Sequence, residues 1–316
     1  MSNVILLLGA GFSKNWNGLL ATELTAHLMS HLQGDAHVCE LLNKMNFEDA
    51  LSQLQTEFLL LGRSNFRIQE ERLTAFEAAI SAVFDRMNKQ FQSRTFEFSQ
   101  DVSRSVRSFL TGFDAIFTLN QDLLLELHYR NEDAALWHGK RWQGWEMPGL
   151  RPLPATDLLD RTTAKWRPEE PFQSNPRMQP YYKLHGSSGW MLTSGGKPLL
   201  VIGRDKTGTI AEHSILRWTY KQFEHYLQRD DTRLMVIGYG FGDDHINRSL
   251  LNAHQAGKLK MIYLVQPSGK ATISSKCPDL LKVFCVECTA PISAAFIDND
   301  MALDLMREIF DSQTSS

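Results

Sequence analysis

Ten residues near the start of the chain limit what it can fold into. Val4-Ile5-Leu6-Leu7-Leu8 is an unbroken apolar run that leads straight into Gly9-Ala10-Gly11-Phe12-Ser13. A run without polar alternation belongs on a strand covered on both faces, which is the condition of a strand inside a parallel sheet. Two glycines spaced Gly-x-Gly then permit a tight turn and a close backbone approach. Leu19, Leu20, Leu24 and Leu28 follow at helical spacing. Strand, glycine turn and helix predict the first unit of an α/β fold, with the positive end of a helix available to a phosphate. The third glycine of the dinucleotide fingerprint is absent, because Lys14 stands there. No strand ending in an acidic residue follows about 20 residues later, as that fingerprint requires. A dehydrogenase-type grip on a nucleotide is therefore disfavoured.

The same grammar returns three times. Ala115–Leu119 runs into Asn120-Gln121-Asp122, Tyr181–Leu184 into His185-Gly186, and Leu234–Ile237 into Gly238-Tyr239-Gly240-Phe241-Gly242 with Asp243, Asp244 and Asn247 beyond. Lys260–Val265, ending at Gln266-Pro267, is expected to be the last parallel-type strand. Polar and glycine residues just past buried strands lie at the carboxyl edge of a sheet, where α/β proteins bind ligands. Each residue taken singly has a plainer reading. Asn120 or Asp122 would serve as a helix N-cap, and a lone histidine is more often a hydrogen-bonded structural group. His138-Gly139 is a second His-Gly pair and is read as structural.

Two long stretches interrupt this pattern. Residues 35–110 contain no proline and carry Phe47, Leu51, Leu54, Phe58 and Leu61, then Leu73, Phe76, Ile80, Val83 and Met87, at helical spacing. Such stripes are helix–helix core, and the block is placed to cap a cleft or to offer an oligomer surface. Residues 137–180 hold seven of the 11 prolines and four of the 7 tryptophans, an irregular insertion expected to pack on the body through its tryptophans, with a partner surface as the second reading. Ser194–Lys197 reads as the tip of a hairpin, Met301–Phe310 as a closing helix and Ser312–Ser316 as a polar tail. The expected fold class is α/β: a Rossmann-like parallel sheet in a single domain, 1–316, with a helical insertion at 35–110 and an irregular insertion at 137–180.

Charge and cysteine content narrow the function classes. With 33 basic and 36 acidic residues the net charge is −3, which argues against nucleic acid and membrane surfaces as partners. Met1-Ser2-Asn3 supplies no cationic lead and the following apolar run is too short for a signal peptide or a membrane span, so a soluble, cytoplasmic protein is expected. Cys285 and Cys288 form one Cys-x-x-Cys, with Cys39 and Cys277 apart from it; Cys285 alternates with Val283 and apolar neighbours, as on a late strand. A structural zinc site wants two such pairs, so no metal is expected.

In their order and composition, four stretches resemble the sirtuin-like (Sir2-like) superfamily, specifically the bacterial branch that hydrolyses NAD in antiphage defence. They are Gly9–Ser13, Thr118–Asp122, Lys183–Ser187 and Gly238–Asn247. The resemblance implies that Asn120 orients the ribose and an attacking water, that Asp122 holds the nicotinamide carboxamide or orders its loop, and that His185 is a general base. It places Gly9, Ala10, Gly11 and Ser13 around the pyrophosphate, with Phe12 and Thr118 in the same binding set. Gly238, Tyr239, Gly240 and Gln266, with Phe241, Asp243 and Asn247, fall along the adenosine side. Breaking the nicotinamide–ribose bond develops oxocarbenium character, so a positioned water and a base lower the barrier. Deacylating sirtuins carry a four-cysteine zinc module after His-Gly; its absence here argues against deacylation. The implied function is an NAD+ glycohydrolase that yields nicotinamide and ADP-ribose and depletes NAD in abortive infection. It would work as a homo-oligomer activated by a partner, which in one such family is a HerA-like ATPase. The alternatives are a non-catalytic NAD or ADP-ribose sensor and an assembly subunit of a DNA-processing ATPase complex.

Overall fold

The computed structural model of the chain describes residues 3–60, 66–154, 159–192, 196–203 and 205–311. Its strands are β1 (Asn3–Leu8), β2 (Ala115–Thr118), β3 (Trp145–Glu146), β4 (Leu150–Pro152), β5 (Trp166–Pro168), β6 (Gln179–Lys183), β7 (Gly186–Met191), β8 (Pro198–Leu200), β9 (Thr232–Ile237), β10 (Leu259–Val265) and β11 (Phe284–Cys288). The main sheet runs in the order β11-β10-β9-β1-β2-β6-β3, and every neighbouring pair in it is parallel. β1 lies at its centre. Val4, Leu6 and Leu8 face one hydrophobic core and Ile5 and Leu7 face the other, so the unbroken apolar run reflects a strand with no solvent face.

From β1 the chain crosses to β2 on one side, and it later returns to β9 on the other. The order therefore reverses between β1 and β9, a switch point of the kind where open α/β sheets bind ligands. Leu8 is level with Thr118 and with Ile237, and Thr118 is level with Lys183. Ala10, Asn120, His185 and Tyr239 consequently all stand two residues past the carboxyl ends of neighbouring strands.

Three sequence expectations are corrected. The helix that follows the first glycine turn is only the five residues Ala10–Lys14. The chain then turns at Asn17 (φ 68°), and the leucine-spaced helix starts at Ala21 and runs to His31. Lys260–Val265 is not the last strand, because β11 pairs in parallel beside β10. β11 is an edge strand with an exposed Phe284, so it lacks the apolar run that marks the inner strands. The insertion at 137–180 is also not irregular throughout. β3 extends the main sheet beside β6, while β4 and β5 join β7 and β8 in a second sheet ordered β4-β5-β7-β8. Its tryptophans do pin it to the body: the Trp142 indole donates to the Phe113 carbonyl at 3.1 Å, and the Trp137 indole to the Arg130 carbonyl at 3.3 Å.

The helical block is built of Ala36–Lys44, Phe47–Leu60, Phe66–Gln92 and Val106–Leu110. Leu51, Leu54, Phe76, Ile80, Val83 and Met87 are buried in one core with Leu24 and Leu28. β7 and β8 pair antiparallel as the expected hairpin; Leu61, Ser194 and Gly195 lie outside the described residues, as does the tail Ser312–Ser316. No helix among the described residues is long and apolar enough to cross a membrane.

Candidate functional site

The two glycine turns meet at the switch point. The Gly9 amide donates to the Ile237 carbonyl at 3.0 Å and the Gly11 amide to the Gly238 carbonyl at 2.9 Å. A Cβ on Gly9 would stand 2.5 Å from the Gly238 oxygen, and one on Gly238 would stand 2.4 Å from the Gly11 backbone. Gly238 also has φ +65°. These glycines are thus required by backbone-to-backbone packing of one turn on the other. Ala10 stays exposed at the rim.

A polar network grows from this junction. Asn120 Nδ2 donates to the Gly9 carbonyl and to Ser13 Oγ, each at 3.0 Å, and the Asn120 amide donates to Thr118 Oγ1 at 3.0 Å. Ser13 Oγ donates to Asp122 Oδ2 at 2.8 Å, and Asp122 Oδ1 accepts the Leu124 amide at 3.0 Å. The nitrogen end of the Asn120 amide is fully used, which orients its carbonyl oxygen. Both Asp122 oxygens are thus taken up by contacts within the loop. Beneath them Lys183 and Glu126 form a buried ion pair at 2.5 Å, and burial pushes the Glu126 carboxyl up.

His185 makes its contact across the top of the sheet. β6 and β9 are separated by β1 and β2, roughly 14 Å at ordinary strand spacing. Even so, His185 Nε2 lies 3.0 Å from His245 Nε2, on the helix Asp244–Gln255 that follows β9. The segment from Gly238 to His245 therefore arches over the ends of the two central strands. Asp243 sits within it, and Lys206 Nζ lies 2.7 Å from Asp243 Oδ1 and 2.9 Å from Glu48 Oε2. Glu48 belongs to the helical block, so the insertion reaches the site.

Burial governs the titration of this cluster. It drives His185 down to about 3 and lowers His245 as well. Burial alone would raise Asp243, but the hydrogen-bonded Lys206 ammonium and the neighbouring imidazoles outweigh it and hold the carboxyl below its usual range. Burial would likewise lower Lys206, and Asp243 with Glu48 reverse that and raise it. His185, Asp243 and His245 each bring one nitrogen or oxygen to within 4.8 Å of the others. The cation that sits at this carboxylate is the Lys206 ammonium. Cys285 and Cys288, three apart on β11, face opposite sides of the sheet and share no site.

The remaining predicted residues support the arch or line its edge. Phe12 is buried against Trp16, with ring centroids 5.1 Å apart. Tyr239 and Phe241 pack with centroids 4.7 Å apart. The Tyr239 hydroxyl accepts the Asp243 amide at 3.1 Å, and Asn247 Nδ2 donates to the Phe241 carbonyl at 2.9 Å. Gly240 is exposed with open space around it. Gln266 is buried just past β10, and its Oε1 has no partner among the described residues; Gln121 Oε1 is in the same position past β2. His138 is exposed on the Trp/Pro insertion. Sequence reasoning passed over His245 and Gln121 although both lie inside the recognised motifs. Lys206 and Glu48 carry no local signal at all, since only the fold brings them to Asp243.

No curated protein matches the chain. The family model of the SIR2-like domain matches residues 114–288, more than half of the 316. That span covers Asn120, Asp122, His185 and the whole arch from Gly238 to Asn247; Gly9–Ser13 precedes it. A parallel sheet with a ligand-type switch point, a rim bearing Asn120 and His185, and this match together place the chain in the SIR2-like domain family, whose members are generally NAD-dependent enzymes.

Proposed function

We propose that the chain is an NAD+ glycohydrolase, adding water across the nicotinamide–ribose bond to release nicotinamide, ADP-ribose and a proton. The observation that carries this is the level placement of Asn120 and His185 past the adjacent strands β2 and β6. One offers an oriented amide oxygen and the other a buried, neutral imidazole. An amide acceptor aligns a water or a ribose hydroxyl, and the imidazole removes its proton as positive charge develops at the sugar.

The hydrolase is harmful to its own cell when active, so the proposal includes restraint. The chain acts as a homo-oligomer in antiphage defence, and a partner such as a HerA-like ATPase raises its activity. A shift from 1:99 to 99:1 in favour of the active state needs ~5.5 kcal/mol of differential binding, which an extensive subunit interface supplies. The Glu48–Lys206–Asp243 bridge supports the helical block as the restraining element. The test is chromatography of products after the protein meets NAD+, alone and with its genomic neighbour. Asn120→Ala and His185→Ala should each cut nicotinamide release by roughly 10²-fold or more, and His138→Ala should be neutral. No nicotinamide under either condition, or equal effects at His185 and His138, overturns the reading.

A further inference from the structure

The His185–His245 pair imposes a condition on where a proton can sit. With Nε2 facing Nε2 at 3.0 Å, the two rings must share one hydrogen. Two lone pairs would repel, and two N–H groups would collide. One ring is therefore the Nε2–H tautomer, and the other is the Nδ1–H tautomer accepting at Nε2.

Burial decides what each ring can do with a further proton. His185 is 3% exposed and is driven down to about 3, so it does not carry a positive charge near neutral pH. A base whose conjugate acid is that strong accepts a proton efficiently only if it passes one on. His245 is the ring positioned to take it. It is 8% exposed and is faced by Asp243 and Asp244, which favour its charge, and by Lys206 and Arg248, which oppose it. Across from it the Tyr220 ring lies 5.8 Å away, its hydroxyl donating to the His245 carbonyl at 2.8 Å. The positive end of the helix Asp244–Gln255 opposes the charge too, so His245 passes the proton to solvent rather than storing it.

We infer that His245 is a positioning residue for the proposed cleavage: it holds His185 as the Nε2–H tautomer, which leaves His185 Nδ1 as the basic nitrogen, and it receives the Nε2 proton when Nδ1 is protonated. In that step an O–H bond of a hydroxyl or water breaks and an N–H bond forms at His185 Nδ1. The His185 Nε2–H bond breaks and one forms at His245 Nε2. His185 ends neutral, and the imidazolium of His245 releases a proton to solvent, the proton that hydrolysis liberates. The inference rests on the glycohydrolase reading.

Two measurements test it. Nitrogen-15 NMR of histidine-labelled wild-type protein at neutral pH should show His185 as Nε2–H and His245 as Nδ1–H, with His185 staying neutral as the pH falls to about 4. The opposite tautomers overturn the inference. In steady-state kinetics, His245→Gln should lower kcat by roughly 10²-fold with KM nearly unchanged, and added imidazole should restore turnover to His245→Ala. A kcat within about threefold of wild type, or a loss confined to KM, overturns it. Cleavage by wild type with an unaffected His245→Gln variant refutes the relay alone. Absence of NAD+ cleavage by wild type refutes the parent function, and the relay with it.

Discussion

His185 combines full burial with an ionisable ring, and its response to acid follows from that. In the unfolded chain the imidazole binds a proton below about 6.5; in the folded protein it stays neutral until about 3. Between those values the unfolded state holds the extra proton, so lowering the pH draws the equilibrium toward unfolding by ~1.4 kcal/mol for each unit. Stability contributed by this site is therefore complete above about 6.5 and declines on acidification below it. Chemical denaturation at pH 7 and pH 5 should show a larger loss for wild type than for His185→Gln, which has no titrating ring. Equal losses in the two proteins would mean that the ring is solvated in the native state.

At the level of elements, the junction of the two glycine turns and the clasp at Lys206 each make a separable prediction. Gly238→Ala forces a left-handed residue and a 2.4 Å backbone contact, and should destabilise the protein by more than ~2 kcal/mol or prevent folding. Gly242→Ala, a few residues along the same arch, meets nothing within 4 Å and should be tolerated. Comparable denaturation midpoints for the two variants would show that the turns are not packed together. Lys206→Met leaves Asp243 and Glu48 as a half-buried, uncompensated carboxylate pair. Losing one partner of a fully buried pair costs ~3 kcal/mol; this partly exposed cluster should lose less, about 1–2 kcal/mol, seen in the denaturation midpoint. Hydrogen exchange should also quicken along Phe47–Leu60, the helix that Glu48 ties to the site. An unchanged exchange rate there would remove the clasp as a link between the insertion and the rim.

For the whole molecule, the decisive question is assembly. Val102 and Met301 are 84% and 82% exposed, and an Arg104–Asp300 ion pair holds their two elements side by side. Apolar side chains exposed on adjoining elements suit a subunit contact. If the proposed oligomer uses this face, Val102→Asp with Met301→Asp should lower both the mass seen by light scattering and the rate of NAD+ cleavage. A full turnover rate from a dilute monomer would remove assembly as the control.

Much of the fold was legible because its signals are local. The apolar runs of β1, β2, β9 and β10 announce strands with no wet face, and the residues that end them announce the rim, because both properties reside in consecutive side chains. The stripes of the helical block are equally local. Edge elements were less legible: β3 has two residues and no continuous apolar pattern, and half-exposed β11 showed only in the alternation of Cys285 with its apolar neighbours. Sequence order also placed Asn120 and His185 on the rim, but it could not supply their partners. His185 meets His245 from 60 positions away, across two intervening strands, and Lys206 joins Asp243 to Glu48 only once the helical block has packed. The strand ends were determined by short-range hydrophobicity. The protonation and charge of the site were decided by long-range packing, since burial and the neighbouring charges exist only in the folded chain.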